Sequence, residues 1–180
     1  DIRGFEAFKE YFSANVHNDP ELNEKIKNGD VQLFMDSLEI SRGNCVTYWT
    51  EDFADEFMAR KGYDTRPYLF MNIGLPAESE LARWSPLPAE FGTFCVETDD
   101  LGTKIFNNLR DVQTQLYMEN LLEPMEEWLN EYNISLRAQI SYGRYFEISE
   151  PTMAVDYPEA ENLNQRNQVD IYRLWTGAAK

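Results

Sequence analysis

The sequence predicts an α/β fold, because short apolar runs alternate with amphipathic helical periods along the chain. The apolar runs, Val31 to Met35, Leu136 to Ser141 and Thr152 to Asp156, have the length of buried strands. Helical periods lie before, between and after them, and this alternation is typical of parallel strands joined by crossover helices. The 180 residues contain no internal repeat or low-complexity linker. We therefore predict one α/β domain spanning residues 1–180.

Helical periods and capping residues predict the helices. The predicted helical segments are residues 5–16, 20–27, 50–62 and 101–132, with a final helix from residue 169. Thr50 is expected to cap the third segment and Gly62 to end it. Pro124 is expected to kink the long fourth segment, because it removes a helical N–H. Residues 67–97 are rich in proline and glycine, which predicts irregular structure with one short helix near residues 78–84.

Charge and hydropathy exclude several classes of partner. The chain carries 32 acidic against 16 basic residues, a formal charge of −16, which opposes binding to nucleic acids and to anionic membranes. It begins at Asp1 and contains neither an apolar signal segment nor an 18-residue apolar span. We expect a soluble segment excised from a longer chain, with no nucleic-acid or membrane partner.

Cysteine and histidine are too scarce for several common kinds of site. The two cysteines, Cys45 and Cys95, form no CxxC motif, and whether they pair is left open. The single histidine, His17, precedes the turn signal Asn18-Asp19-Pro20, which predicts a solvated helix end. Neither a histidine-dependent triad nor an HExxH zinc site is therefore expected, and no metal ligands are assigned.

Two acidic clusters follow predicted strands. They are Asp36-Ser37-Leu38-Glu39 and Asp156-Tyr157-Pro158-Glu159-Ala160-Glu161. Barrel enzymes present catalytic acids and bases at strand exits in this way. The alternative for Asp36 and Asp156 is structural, since aspartates in turns often accept hydrogen bonds from nearby backbone amides.

Further motifs follow the first cluster in a fixed order. They are Trp49-Thr50, Phe57, Arg60-Lys61-Gly62-Tyr63-Asp64, Pro67-Tyr68-Leu69, Gln139 with Tyr142-Gly143, and Asp156, Pro158 and Glu161. Together they resemble glycoside hydrolase family 106, the α-L-rhamnosidases. The resemblance covers roughly residues 31–179 but only a middle segment of the family's (β/α)8 catalytic domain. It therefore implies a partial (β/α) barrel-like segment with parallel strands and crossover helices.

The resemblance implies an inverting hydrolase of terminal α-L-rhamnosides or related sugars, with Glu39 as general acid and Glu161 as general base. Inversion needs two carboxyl groups about 6.5–9.5 Å apart with a water between them. A set of substrate-binding residues is also expected: Asp36, Trp49, Gln139, Tyr142, Asp156 and Glu159. The resemblance further implies an extracytoplasmic or secreted protein and makes a bound calcium ion possible, whereas the sequence itself requires no cofactor.

Several alternatives stay open. Glu159 competes with Glu161 for the role of base, and Trp49 is suited to a hydrophobic staple before a helix as well as to sugar stacking. A carbohydrate-binding or protein-interaction module without catalysis is a second hypothesis for the whole chain. A partial barrel would expose apolar strand edges, so we also expect weak activity of the isolated segment and self-association.

Overall fold

A computed structural model describes residues 1–38, 49–69, 101–141, 146–160, 169–170 and 172–176. The chain divides into two compact units, residues 1–38 with 114–180, and residues 39–113. The helices of the described part are α1 (Ile2–Asn15), α2 (Pro20–Asn28), α3 (Phe53–Lys61), α4 (Leu101–Tyr117), α5 (Glu123–Asn130) and α6 (Arg173–Thr176). A π-helical segment, Met118–Leu122, joins α4 to α5, and short 3-10 helices span Arg66–Tyr68 and Pro151–Ala154. The predicted short helix near residues 78–84 lies outside the described residues. Cys45 and Cys95 also lie outside them.

A three-stranded parallel sheet lies in the first unit. Its strands are β1 (Val31–Met35), β2 (Ile134–Gln139) and β3 (Tyr157–Glu159), in the order β1-β2-β3. Both neighbouring pairs are parallel. The α/β class with parallel strands is thus observed. The bounds of β1 are those predicted, whereas β2 begins two residues earlier than the apolar run suggested.

The predicted strand from Thr152 to Asp156 is wrong. Residues Pro151–Ala154 form a 3-10 helix, and the strand comes after it, at Tyr157–Glu159. Pro151 fixes the backbone φ angle near helical values at the start of the 3-10 helix. The Thr152 hydroxyl donates a hydrogen bond to the Ser149 carbonyl at 2.5 Å, which further stabilises the turn. Asp156 consequently precedes a strand instead of ending one.

The central strand β2 has one buried and one more exposed face. Ile134, Leu136 and Ala138 are buried, and α5 packs against this strand. Arg137 lies on the opposite face, because successive strand residues alternate between faces. This alternation decides which side chains near the strand ends reach solvent.

An aromatic cluster around Trp128 joins α1 to α5. The rings of Phe5, Phe8 and Phe12 lie 6.2, 6.1 and 5.4 Å from that of Trp128. The predicted apolar face of α1 is therefore the face that packs. Edge-to-face contacts of this kind add stability beyond the apolar area that they bury.

His17 follows the end of α1, as predicted, but its ring packs in the same cluster, which corrects the prediction that this helix end is solvated. Its ring stacks on Tyr132 with centroids 3.7 Å apart and planes inclined by 10°. Asn23 Nδ2 donates to the His17 carbonyl at 2.7 Å, so Asn23 Oδ1 faces His17 Nδ1 at 2.8 Å. A carboxamide oxygen only accepts, so Nδ1 carries the proton of the neutral ring. His17 Nε2 is buried and has no hydrogen-bond partner in the described part of the chain.

The second unit is built on α3 and the first part of α4. Phe53, Phe57, Ile105 and Leu109 are buried there. Asn108 Nδ2 donates to the Tyr63 hydroxyl at 3.0 Å, and Lys61 forms an ion pair with Asp111. These polar contacts connect the end of α3 to α4.

Capping of α3 follows the prediction at one end only. Gly62 ends the helix with φ of 78°, a left-handed conformation that glycine adopts without steric penalty. At the start, the N-cap is Asp52 instead of Thr50. The Thr50 hydroxyl donates to the Asp52 carboxylate at 2.7 Å, and its carbonyl accepts from Phe53 N at 3.1 Å.

The long predicted helix is interrupted just before Pro124. Pro124 has no N–H to donate to the carbonyl four residues earlier, so the regular helical ladder cannot continue through it. The chain adopts π-helical hydrogen bonding over Met118–Leu122, and Pro124 then lies in the first turn of α5. Among the described residues, none of the helices combines the length and apolar character needed to cross a bilayer.

Candidate active site at the carboxyl end of the sheet

The register of the sheet aligns three of the predicted site residues. Met35 of β1 pairs with Ala138 of β2, and Ala138 pairs with Pro158 of β3. The next residue along each chain is Asp36, Gln139 and Glu159 respectively, and Gln139 pairs directly with Glu159. Because all three strands run in the same direction, these residues lie side by side at the carboxyl end of the sheet.

Two of the three aligned residues have partners that restrict them. Asp36 is exposed, and its Oδ1 accepts a hydrogen bond from Ser37 N at 2.7 Å. Glu159 accepts a hydrogen bond from the Arg137 guanidinium, with which it forms an ion pair. Glu159 therefore lies on the same face of the sheet as Arg137.

Gln139 differs from its neighbours in having an unsatisfied acceptor. Its Oε1 is buried and has no hydrogen-bond partner within the described ranges. A buried amide oxygen without a hydrogen-bond partner typically lowers the stability of a protein by about 1–3 kcal/mol. A ligand hydroxyl or amide would satisfy this oxygen, so Gln139 is suited to binding.

Asp156 has a structural contact at the other end of β3. Its Oδ2 accepts a hydrogen bond from Leu136 N at 2.8 Å, and its own N donates to the Leu136 carbonyl at 3.1 Å. Both bonds connect the residue before β3 to the middle of β2. Asp156 thus helps to set the register that brings Gln139 and Glu159 to one level.

Trp49 lies in the second unit and contacts α3. Its side chain is 42% exposed, and its ring centroid lies 4.9 Å from that of Phe53. Phe53 is the first residue of the helix, whereas a hydrophobic staple uses the fourth. The contact therefore differs from the staple that the sequence suggested.

The remaining predicted residues lie outside the described part. They are Glu39, Tyr142 and Glu161. In the sequence, Glu39 follows Asp36 by three positions and Glu161 follows Glu159 by two. The strands that precede them, β1 and β3, are the two outer strands of the sheet.

Arg137 is a candidate site residue that the sequence analysis missed. Its side chain is 45% exposed, and its guanidinium carbon lies 5.5 Å from the centre of the Phe34 ring. The sequence did contain a signal for this residue. A charged residue between the apolar Leu136 and Ala138 of a strand is predicted to face solvent, because successive strand side chains point to opposite faces.

Carboxylates do not gather into a metal site in the described part of the chain. No group of three or more His, Cys, Asp or Glu side chains there is arranged to hold a metal ion.

Comparison with known proteins adds no family to these observations. Neither the models of known protein families nor the curated proteins include a match to this chain. The resemblance to the rhamnosidases stays a prediction based on the quoted motifs.

Proposed function

We propose that this chain forms part of the catalytic domain of an inverting glycoside hydrolase that acts on terminal α-L-rhamnosides or related sugars. The three strands are taken as consecutive parts of a (β/α)8 barrel, whose active site lies at the carboxyl ends of its strands. The observation that carries the proposal is the alignment of Asp36, Gln139 and Glu159 at that edge.

The spacing of the strands suits the proposed reaction. Neighbouring strands lie about 4.8 Å apart, so β1 and β3, which flank β2, are separated by about 10 Å. Glu39 and Glu161 follow these two outer strands. Inverting hydrolases hold their two carboxyl groups about 6.5–9.5 Å apart. The separation of β1 from β3 is thus close to that range.

The chemistry then divides between the two glutamates. Glu39 donates its proton to the glycosidic oxygen as the bond from that oxygen to the anomeric carbon breaks. Glu161 removes a proton from a water molecule whose oxygen forms the new bond to the anomeric carbon from the opposite face. The products are a free sugar of inverted configuration and an alcohol, and the two carboxyl groups have exchanged protonation states.

Neighbouring residues support this division. Glu159 is engaged by Arg137 on the sheet face, which favours Glu161 as the base. Asp36, Gln139, Tyr142 and Glu159 are proposed to bind the sugar, while Asp156 holds β3 against β2. The contact of Trp49 with the sugar stays a prediction of the resemblance. Secretion and a bound calcium ion remain predictions of the resemblance.

The edges of the sheet fit a segment of a larger barrel. Within the described ranges, β1 and β3 each pair with β2 alone. Unpaired edges are available to further strands or to another copy of the chain. We therefore expect the 180-residue chain to self-associate and to have weak activity by itself.

The experiment compares Glu39→Gln and Glu161→Gln in the natural full-length protein, with an aryl α-L-rhamnoside as substrate. Each substitution should lower kcat at least about a hundredfold, the usual contribution of a general acid or base. Glu24→Gln is the control, because this exposed glutamate lies on α2, which precedes β1 in the chain, and should leave kcat unchanged. Unchanged hydrolysis in both site variants would refute the assignment.

A carbohydrate-binding module without catalysis is the second candidate. It is favoured by the aromatic side chains exposed on the sheet, since Phe34 and Tyr157 are 48% and 47% exposed. Sugar binding by calorimetry in a full-length protein that shows no turnover would support this function over the first.

A further inference from the structure

Three side chains form a row across the exposed face of the sheet. Phe34 of β1 pairs with Arg137 of β2, and Arg137 pairs with Tyr157 of β3. Paired residues of parallel strands point to the same face, and the contact between Arg137 and Phe34 agrees with this. We call Phe34, Arg137 and Tyr157 the aromatic–arginine row. Each of the three side chains is almost half exposed.

The charge of Arg137 within the row is already balanced. Its Nε donates to Glu159, so the guanidinium and the carboxylate form a neutral pair. The Nη atoms have no hydrogen-bond partner in the ranges that the structure describes. The row thus offers two aromatic faces, guanidinium donors and carboxylate acceptors on one surface.

These groups match a neutral sugar ring. The C–H face of a pyranose packs on aromatic rings, while its hydroxyls accept from a guanidinium and donate to a carboxylate. An anionic ligand fits less well, because Glu159 already neutralises Arg137 and the chain carries a formal charge of −16.

The position of the row relates it to the proposed active site. Phe34, Arg137 and Tyr157 each lie two residues before the level of Asp36, Gln139 and Glu159. Two strand residues span about 6.6 Å, which is close to the length of one sugar ring. The row lies on the face opposite the one that carries buried Leu136 and Ala138.

We propose that the aromatic–arginine row is a binding subsite for a neutral pyranose ring. Binding itself stands on the row alone, and only the statement that the ring belongs to the substrate rests on the proposed function. The row extends the site toward the amino ends of the strands, beyond the residues that the motifs matched.

The experiment measures binding of methyl α-L-rhamnoside, methyl β-D-glucoside and methyl β-D-galactoside to the full-length protein by saturation-transfer NMR and calorimetry. Phe34→Ala and Tyr157→Ala should each weaken the binding of at least one of these glycosides fivefold or more. Phe34→Tyr and Tyr157→Phe keep a ring at each position and should bind as the unchanged protein does. Tyr11→Ala on α1 is the control, since Tyr11 is 70% exposed outside the sheet.

The outcomes separate this proposal from the catalytic one. Unchanged affinity in both alanine variants, tighter binding of glucuronate than of the neutral sugars, or no binding of any of the three glycosides overturns the row as a neutral sugar subsite. Loss of affinity in the alanine variants, with hydrolysis intact in Glu39→Gln and Glu161→Gln, sustains the row and removes the catalytic assignment. Unchanged affinity together with lost hydrolysis removes only the row.

Discussion

Replacing Asp156 with alanine tests the contact that sets the register of β3 against β2. The carboxylate accepts a hydrogen bond from Leu136 N at 2.8 Å, and Leu136 is fully buried in the centre of the sheet. Alanine leaves this N–H without its acceptor. The neighbouring bond from Asp156 N to the Leu136 carbonyl, at 3.1 Å, uses only backbone atoms and is kept.

The expected loss of stability follows from the partner and its surroundings. A hydrogen bond to a charged group contributes about 1.5–3 kcal/mol, and leaving a buried N–H unsatisfied costs about 1–3 kcal/mol. The two figures describe the same loss and are not added. Asp156 itself is exposed, so water partly replaces the carboxylate and the lower part of the range applies. We expect Asp156→Ala to lower the free energy of unfolding by about 2 kcal/mol. Asp156→Asn keeps an acceptor and should lower it by about 1 kcal/mol.

Hydrogen exchange of the Leu136 amide, followed by NMR, reports on this bond directly. Since about 1.4 kcal/mol is a factor of ten, exchange should become about thirty times faster in Asp156→Ala. Asp170→Ala is the control, because this carboxylate is 84% exposed and its ion pair with Arg173 lies on the surface. An exchange rate in Asp156→Ala within twofold of that in the control would refute the role of Asp156 in the register.

The other predictions concern packing and backbone conformation. Trp128→Ala should lower the free energy of unfolding in urea by about 3–5 kcal/mol, and a loss below about 1 kcal/mol, the range expected for the exposed control Tyr11→Ala, would contradict the aromatic cluster. Nitrogen NMR in alkaline buffer should find the His17 proton on Nδ1, whereas a predominant Nε2–H form would contradict its bond to Asn23. Gly62→Ala should destabilise by about 1–2 kcal/mol because of its left-handed backbone, while Gly4→Ala within α1 should stabilise by up to about 1 kcal/mol. If the two alanine substitutions shifted the urea midpoint equally, the backbone conformation of the glycine would not explain the change in stability.

Local sequence signals predicted the elements whose residues agree with one another. Val31–Met35 forms a strand at the predicted bounds, and Gly62 ends α3 as its position after the last helical residue indicated. The segment after Pro151 failed because its apolar residues suggested a strand while Pro151 and Thr152 favour a local turn. Backbone restriction by proline outweighed the apolar pattern there.

The candidate site depends on contacts that no local signal contains. The pairing of Gln139 with Glu159 follows from the register of the sheet, which brings together residues twenty positions apart. His17 was predicted at a solvated end because its partner Tyr132 is remote in sequence. Arg137 was missed because an arginine in a strand resembles any solvated residue until the aromatic side chains of β1 and β3 are placed beside it.

The configuration of the first sugar released from a terminal α-L-rhamnoside by the full-length protein tests the central claim most directly. In an inverting site the general base removes a proton from a water molecule, which attacks the anomeric carbon from the face opposite the leaving group. Proton NMR at early times should therefore show β-L-rhamnose before mutarotation equilibrates the anomers. Initial appearance of the α anomer, or no released sugar at all, would contradict an inverting site at the carboxyl end of this sheet.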